Sequence, residues 1–238
     1  MNCKIFDLGL IRYKPAWYFQ KEVFKAVKYG YIDSALILCQ HYPVITLGRS
    51  ASRKNILLSD EELRLKEVRT FEVERGGDVT YHGPGQITIY PVFNLNYLKR
   101  DIYWFLRKLE EIIISFMADF DLKAQRRLGL TGVWVGDKKI ASIGIAIKNW
   151  ITYHGISINI KSEDLANFKL IKPCGLDAEV TCLEKESGRE INLEDAKSSL
   201  RSEFGVHPCL PAGRLSFDSK DAFALGVKTS LLMEEAKR

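Results

Sequence analysis

Arg75-Gly76-Gly77-Asp78-Val79-Thr80-Tyr81-His82-Gly83-Pro84-Gly85-Gln86 is the stretch from which the rest of this chain is read. Four glycines (Gly76, Gly77, Gly83 and Gly85) and a proline enclose an arginine, a tyrosine and a histidine. Glycine is needed where backbone turns sharply or lies against another molecule. A plain connection has no use for Arg75 and His82 among those glycines. The segment therefore reads as the floor of a binding site, offering backbone amides and a few polar side chains to a ligand. Taken alone, it also fits a phosphate cradle.

Working outward, residues 70–74 alternate Phe71 and Val73 with charged neighbours, a half-buried strand running into the glycines. Residues 86–95 resume strand character through Ile87, Ile89, Val92 and Phe93. Upstream, residues 4–11 predict a strand. A helix then opens around Pro15, carries Trp17, Tyr18, Val23, Phe24 and Val27 on one face, and stops before Gly30. Residues 34–38 and 44–47 read as buried strands broken at His41-Tyr42-Pro43, and Ser59 with Glu62 forms a capping box for a helix over 60–68.

Downstream, residues 101–120 have strong helical amphipathicity. Residues 132–135, 140–147 and 152–160 form a meander with hairpin-length connections, and a helix capped by Asn192 spans 193–204. The predicted fold class is α/β (α+β): a single domain with a mixed, largely antiparallel sheet packed by helices. Residues 1–205 form its body and 206–238 a C-terminal appendage.

Composition narrows the partners. Hydrophobic residues at 46% and charged residues at 27% are ordinary for a globular chain of 238 residues. No apolar run approaches the roughly 20 residues that cross a bilayer. Met1-Asn2-Cys3-Lys4-Ile5-Phe6-Asp7 has neither a secretory nor a transit pattern. The expectation is a soluble, cytoplasmic protein with no membrane partner. The net charge of +5 is modest and mixed with acids along the chain, which gives no reason to expect nucleic acid. Five cysteines (Cys3, Cys39, Cys174, Cys182 and Cys209) are odd in number and form no C-x-x-C pair, which argues against a disulfide framework or a metal site.

Four further positions could carry chemistry. Cys174 lies in Lys172-Pro173-Cys174-Gly175, where the proline fixes one dihedral and the glycine allows an immediate turn, presenting the thiol at a loop tip. By residue type alone, a buried inert cysteine is the competing reading. Cys209, between two prolines, is the next candidate nucleophile. Lys139 ends the turn Gly136-Asp137-Lys138-Lys139 and leads into Ile140-Ala141-Ser142-Ile143-Gly144, whose small residues would let a ligand lie close; an ordinary solvated turn lysine is the alternative. His154-Gly155 repeats the His82-Gly83 pairing on another apolar segment, either as a positioning residue or as a structural histidine.

Together these blocks resemble the lipoyl(octanoyl) transferase family. The stretch 75–86 is similar to the family's signature, and Pro43-Val44-Ile45-Thr46-Leu47-Gly48-Arg49 to its preceding strand motif. Gly132-Val133-Trp134-Val135, Lys139 to Gly144, His154-Gly155 and Pro173-Cys174-Gly175 follow in the family's order. The likeness spans residues 8–205. One departure is Gln40-His41-Tyr42-Pro43 where the family often has Glu-His-Pro-Pro, away from the chemical residues.

The resemblance implies a domain shared with biotin- and lipoate-protein ligases. It implies octanoyl transfer from octanoyl-acyl carrier protein to a lysine on lipoyl domains of 2-oxoacid dehydrogenase complexes and on glycine cleavage H protein. No cofactor or ATP is implied, because a thioester is already activated. Cys174 would carry the acyl group as a thioester, with Lys139 as its partner. Arg75, Gly76, Gly77, Asp78, Val79, Thr80, Tyr81 and His82 would line the substrate site with Ser142, Ile143, Gly144, Gly155, Ile156 and Ser157, and His154 would position. Val79, Tyr81, Ile143 and Ile145 are candidate walls of an acyl tunnel. Two other readings stay open: an ATP-dependent lipoate or biotin ligase, which needs no cysteine, and a non-catalytic acyl-carrier or lipoyl-domain binding protein.

Overall fold

The computed structural model describes residues 3–172, 179–206 and 216–217. The first half runs β1 (Cys3–Ile11), α1 (Tyr13–Lys28), β2 (Ser34–His41), β3 (Val44–Leu47), α2 (Asp60–Leu65), β4 (Arg69–Glu72), β5 (Val79–His82) and β6 (Gln86–Phe93). The second half runs α3 (Ile102–Ala118), β7 (Ala124–Arg127), β8 (Leu130–Val135), β9 (Lys138–Lys148), β10 (Ile151–Asn159), α4 (Leu183–Ser187), α5 (Leu193–Val206) and β11 (Ser216–Phe217). Eight strands form one mixed sheet in the order β11-β1-β2-β6-β10-β9-β8-β7. Only the β11–β1 and β1–β2 pairs are parallel.

Alternation along β2 builds the layers. Leu36 and Leu38 face one side with Ile87 and Ile89 of β6, where α3 buries Phe105, Leu109, Ile112 and Phe116 and α5 buries Ala196, Leu200 and Phe204. Ala35, Ile37 and Cys39 face the other side, under Ala16, Phe19, Val23 and Val27 of α1. Each fully buried Phe, Ile or Leu contributes about 1.5–3 kcal/mol. The predicted starts hold: Ser59 and Glu62 make a reciprocal capping box on α2, and Asp101 accepts the Trp104 N–H at 2.9 Å to cap α3.

Three features depart from the sequence reading. There is a second sheet, in the order β4-β3-β5, with its own core of Ile45, Leu47, Tyr81, Phe168 and Ile171. The stretch 75–86 is not all loop, because Val79–His82 pairs antiparallel with β3. The polar edge strand β7 was not anticipated. It is held from α3 by Glu110, whose fully buried carboxylate pairs with Arg126 Nε at 3.1 Å and with Arg107. The expected C-terminal appendage falls mostly outside the described residues, of which Ser216–Phe217 extends the β1 edge.

Candidate active site

The site forms where β8 parts from β9. Beyond Ala141, β9 is no longer paired with β8, and Gly76 takes that place by donating its N–H to the Ile145 carbonyl at 2.8 Å. Between these segments, the start of α3 and the β7–β8 turn lies a cavity of about 420 Å³. Arg75, Gly76, Gly77, Asp78, Val79, Thr80 and His82 line it, as do Lys139, Ser142, Ile143, Gly144, Ile145, His154, Gly155, Ile156 and Ser157. Arg75 and Ser157, 82 positions apart in the chain, thus share one pocket through sheet pairing.

Tyr81 corrects the expectation. Strand alternation turns Thr80 and His82 to the cavity and Tyr81 away from it. Its ring packs edge-on against Phe168 at 5.5 Å, and its hydroxyl donates to Asp164 at 3.3 Å while accepting from Asn167 at 2.9 Å. It belongs to the core of the smaller sheet, not to an acyl wall. Cys174 and Cys209 lie outside the described residues.

Register explains the floor. Thr88, Ser157 and Ser142 stand side by side on β6, β10 and β9, so their side chains share a face. Thr88 was not singled out from the sequence. Its hydroxyl is buried and, among the described residues, has no hydrogen-bond partner. Gly144 keeps the roof close, since a Cβ there would sit 2.9 Å from the Gly76 carbonyl oxygen.

Arg75 is buried against β3. Its Nε and Nη2 donate to Thr46 Oγ1 at 3.1 and 2.9 Å, Nη2 also reaches the Thr46 carbonyl at 2.7 Å, and Nη1 donates to the Gly76 carbonyl at 3.0 Å. His154 occupies the left-handed region at φ 56 within β10, its backbone N–H held by Gln20 Oε1 at 2.6 Å and its Nε2 3.3 Å from Glu74. A non-glycine residue in that conformation costs on the order of 1–3 kcal/mol. Burial lowers the His154 pKa against the pull of the Glu74 carboxylate, and the hydrogen bond from His154 holds Glu74 well below the usual carboxylate range.

Burial also pushes His82 down to about 3, assisted by its neighbour His41, and pushes His41 itself down to about 4. Both sit well below the unfolded value of about 6.5. The unfolded chain therefore binds more protons, and stability falls as pH drops below about 6.5. Each histidine contributes a slope of up to about 1.4 kcal/mol per pH unit. Urea unfolding between about pH 6.5 and 5, above the carboxylate range, should show this slope, and His41→Asn should reduce it. An unchanged slope in that variant would contradict the assignment.

Lys139 projects from the start of β9, with Nζ 5.1 Å from the Trp134 ring centroid. Gly132 makes room for it: a Cβ there would lie 2.7 Å from Lys139 Cε and 2.6 Å from the Ala141 carbonyl oxygen, at a φ of +138. The buried Glu110 fixes this glycine by accepting its N–H at 3.2 Å. Gly132→Ala should cost about 1–3 kcal/mol and displace Lys139. Thermal unfolding reads the first effect; an unshifted midpoint would remove the crowding argument.

Both flanks of the segment carrying Cys174 are tied to this wall. The Lys139 N–H donates to the Glu179 carbonyl at 2.8 Å, and the Thr181 N–H donates to the Lys139 carbonyl at 2.9 Å. On the other side, the Lys172 N–H donates to the Asn55 carbonyl at 2.8 Å, and Asn55 Nδ2 donates to Asp78 of the glycine-rich stretch. Asn55 and Glu110 were not anticipated, since an asparagine in a loop and a glutamate in an amphipathic helix carry no local mark of their role. The described cysteines offer no rival nucleophile: burial raises the thiols of Cys3, to about 11, Cys39 and Cys182. Among the described residues no cluster of ligating side chains could hold a metal, and no helix is long and apolar enough to cross a membrane.

Comparison with known proteins accords with this geometry. The chain is 46% identical over 201 residues to an octanoyltransferase of Caldicellulosiruptor bescii, covering 83% of this chain and 88% of the relative. It is 43% identical over 200 residues to an octanoyltransferase of Maridesulfovibrio salexigens, covering 84% and 93%. Among solved structures, lipoate-protein ligase A bound with ATP superposes with a TM-score of 0.79 at 14% identity, covering 100% of this chain and 97% of the other. A putative lipoate protein ligase from T. acidophilum with bound lipoic acid gives 0.77 at 14% identity, covering 98% and 96%. At that identity these two speak for the fold alone. The family model for the lipoyl protein ligase A/B catalytic domain matches residues 12–205, so this chain belongs to the lipoyl protein ligase A/B catalytic-domain family.

Proposed function

We propose that this protein is an octanoyltransferase of lipoate biosynthesis. In this reading it moves an octanoyl group from octanoyl-acyl carrier protein, through a thioester on Cys174, to a lysine of lipoyl domains of 2-oxoacid dehydrogenase complexes and of glycine cleavage H protein. The observation that carries the reading is the anchoring of both flanks of residues 173–178 to the cavity wall, with Glu179 bonded to Lys139 itself. Cys174 is five positions from Glu179, a tether of at most about 18 Å.

The chemistry follows from charge and proton balance. An ammonium at Lys139 favours the Cys174 thiolate, which attacks the octanoyl thioester carbonyl. The tetrahedral oxyanion collapses, the C–S bond to the carrier breaks, and the departing thiolate takes a proton from Lys139. Donor and acyl-enzyme are both thioesters, so this step is near balance and uses no ATP. The acceptor amine then attacks, the amide forms, the Cys174 thiolate leaves, and neutral Lys139 takes the surplus proton. Ile143, Ile145 and Ile156 line the cavity and would contact the acyl chain. Burying its seven apolar carbons contributes on the order of 5 kcal/mol.

The test is transfer without nucleotide. Mixed with octanoyl-acyl carrier protein and an apo lipoyl domain, the protein should add one octanoyl group to the acceptor lysine. Transfer that requires ATP and free octanoate would instead make it a ligase.

A further inference from the structure

Behind the cavity wall a chain of hydrogen bonds links the backbone of Lys139 to the guanidinium of Arg75. The Lys139 carbonyl accepts the Thr181 N–H at 2.9 Å, and the Thr181 carbonyl accepts Asn159 Nδ2 at 2.9 Å. Asn159 Oδ1 accepts Gln86 Nε2 at 2.9 Å, and Gln86 Nε2 also reaches the Tyr81 carbonyl at 3.3 Å. Gln86 Oε1 lies 2.7 Å from His82 Nδ1. His82 Nε2 lies 3.5 Å from Thr46 Oγ1, the same oxygen that accepts Arg75 Nε and Nη2. Thr46, Arg75, His82, Gln86, Asn159 and Thr181 are all buried.

The direction of every link is determined. Asn159 must donate to a carbonyl, so its oxygen faces Gln86. Gln86 then spends its amide hydrogens on Asn159 and Tyr81, so its oxygen faces the imidazole. An amide oxygen can only accept, which puts the proton on His82 Nδ1 and leaves a lone pair on Nε2. Arg75 fills the acceptor capacity of the Thr46 hydroxyl, whose hydrogen is left to point at that lone pair. Reversing one member would set two acceptors or two donors face to face in a buried site, which is unfavourable.

We propose that Gln86 and Asn159 are positioning residues for the cavity: they lock His82 in its Nδ1–H tautomer and, through Thr46, hold the Arg75 guanidinium in register with the strand that carries Lys139. Neither acts on a substrate. Their effect reaches the cavity through Arg75, which lines it. The titratable and charged groups facing His82 are Tyr13, stacked at 6.1 Å, His41 at 5.8 Å, Arg75 and His154. None supplies a negative charge to favour an imidazolium, and burial keeps the ring neutral.

The decisive experiment is ring-nitrogen NMR of the full chain, which needs no variant and no substrate. His82 should show a protonated Nδ1 and a lone-pair Nε2, unchanged from about pH 8 to about pH 5. An Nε2–H tautomer, or titration in that window, overturns the proposal. Gln86→Glu supplies the second arm. The carboxylate keeps the acceptor, loses the amide donors and favours the imidazolium, which cannot accept the Thr46 hydrogen. His82 should then titrate within the window, and kcat/KM per folded molecule should fall about ten- to a hundredfold at the acidic end and recover at the alkaline end. A purely structural role predicts a pH-independent loss, which would overturn the proposal. The kinetic arm rests on the proposed transfer reaction, whereas the tautomer does not, so failure of one is distinguishable from failure of the other.

Discussion

Cys174→Ala is expected to abolish octanoyl transfer, with a loss of at least about a thousandfold per folded molecule. The size follows from the role proposed for the side chain. Without it no acyl-enzyme forms, and the acceptor amine must attack the carrier thioester directly, with both proteins held at one cavity. Cys174→Ser should recover little, because a serine hydroxyl beside a lysine stays protonated where a thiol ionises. Steady-state transfer assays check this, with thermal unfolding on the same samples to count the folded molecules. Retention of normal turnover in either variant would remove the thioester from the mechanism.

Lys139→Ala is expected to cost about a hundred- to ten-thousandfold in kcat, the range of general acid–base catalysis. On the proposed mechanism it removes the charge that favours the thiolate and the group that shuttles the proton. Lys139→Arg separates those roles, since a guanidinium keeps the charge but does not release its proton. In that variant acyl-enzyme formation should survive better than transfer to the acceptor. Single-turnover measurements of each half-reaction read the difference, and equal loss in both halves would contradict the assignment of Lys139 as the acceptor of the amine proton. The side chain is partly buried and lies beside the Trp134 ring, so thermal unfolding on the same samples reads any loss of fold.

Features with local causes were legible in the sequence. The capping box of Ser59 and Glu62 reads directly because the donors and acceptors are three residues apart. The amphipathic face of α3 and the β8–β9–β10 meander are likewise periodicities of the chain itself. Val79–His82 was harder: four residues of good strand propensity stand between glycine pairs, and the glycines mask them. Their identity as a strand depends on β3, more than thirty positions away. Tyr81 was misjudged as a wall because its orientation depends on which strand face the cavity touches. β7, with Gln125, Arg126 and Arg127, has no apolar alternation and is fixed by the buried Glu110. Most of the residues that line the cavity belong to the stretches that carry the family likeness. Asn55, Thr88 and Glu110 lie outside them, and each gains its role from a partner that only folding brings near.

The most direct test is intact-mass spectrometry of the protein mixed with octanoyl-acyl carrier protein alone, without ATP or acceptor. The predicted result is one octanoyl adduct, labile to hydroxylamine, mapping to Cys174 and discharged when an apo lipoyl domain is added. Absence of the adduct while transfer proceeds, or an adduct on another residue, would contradict the account.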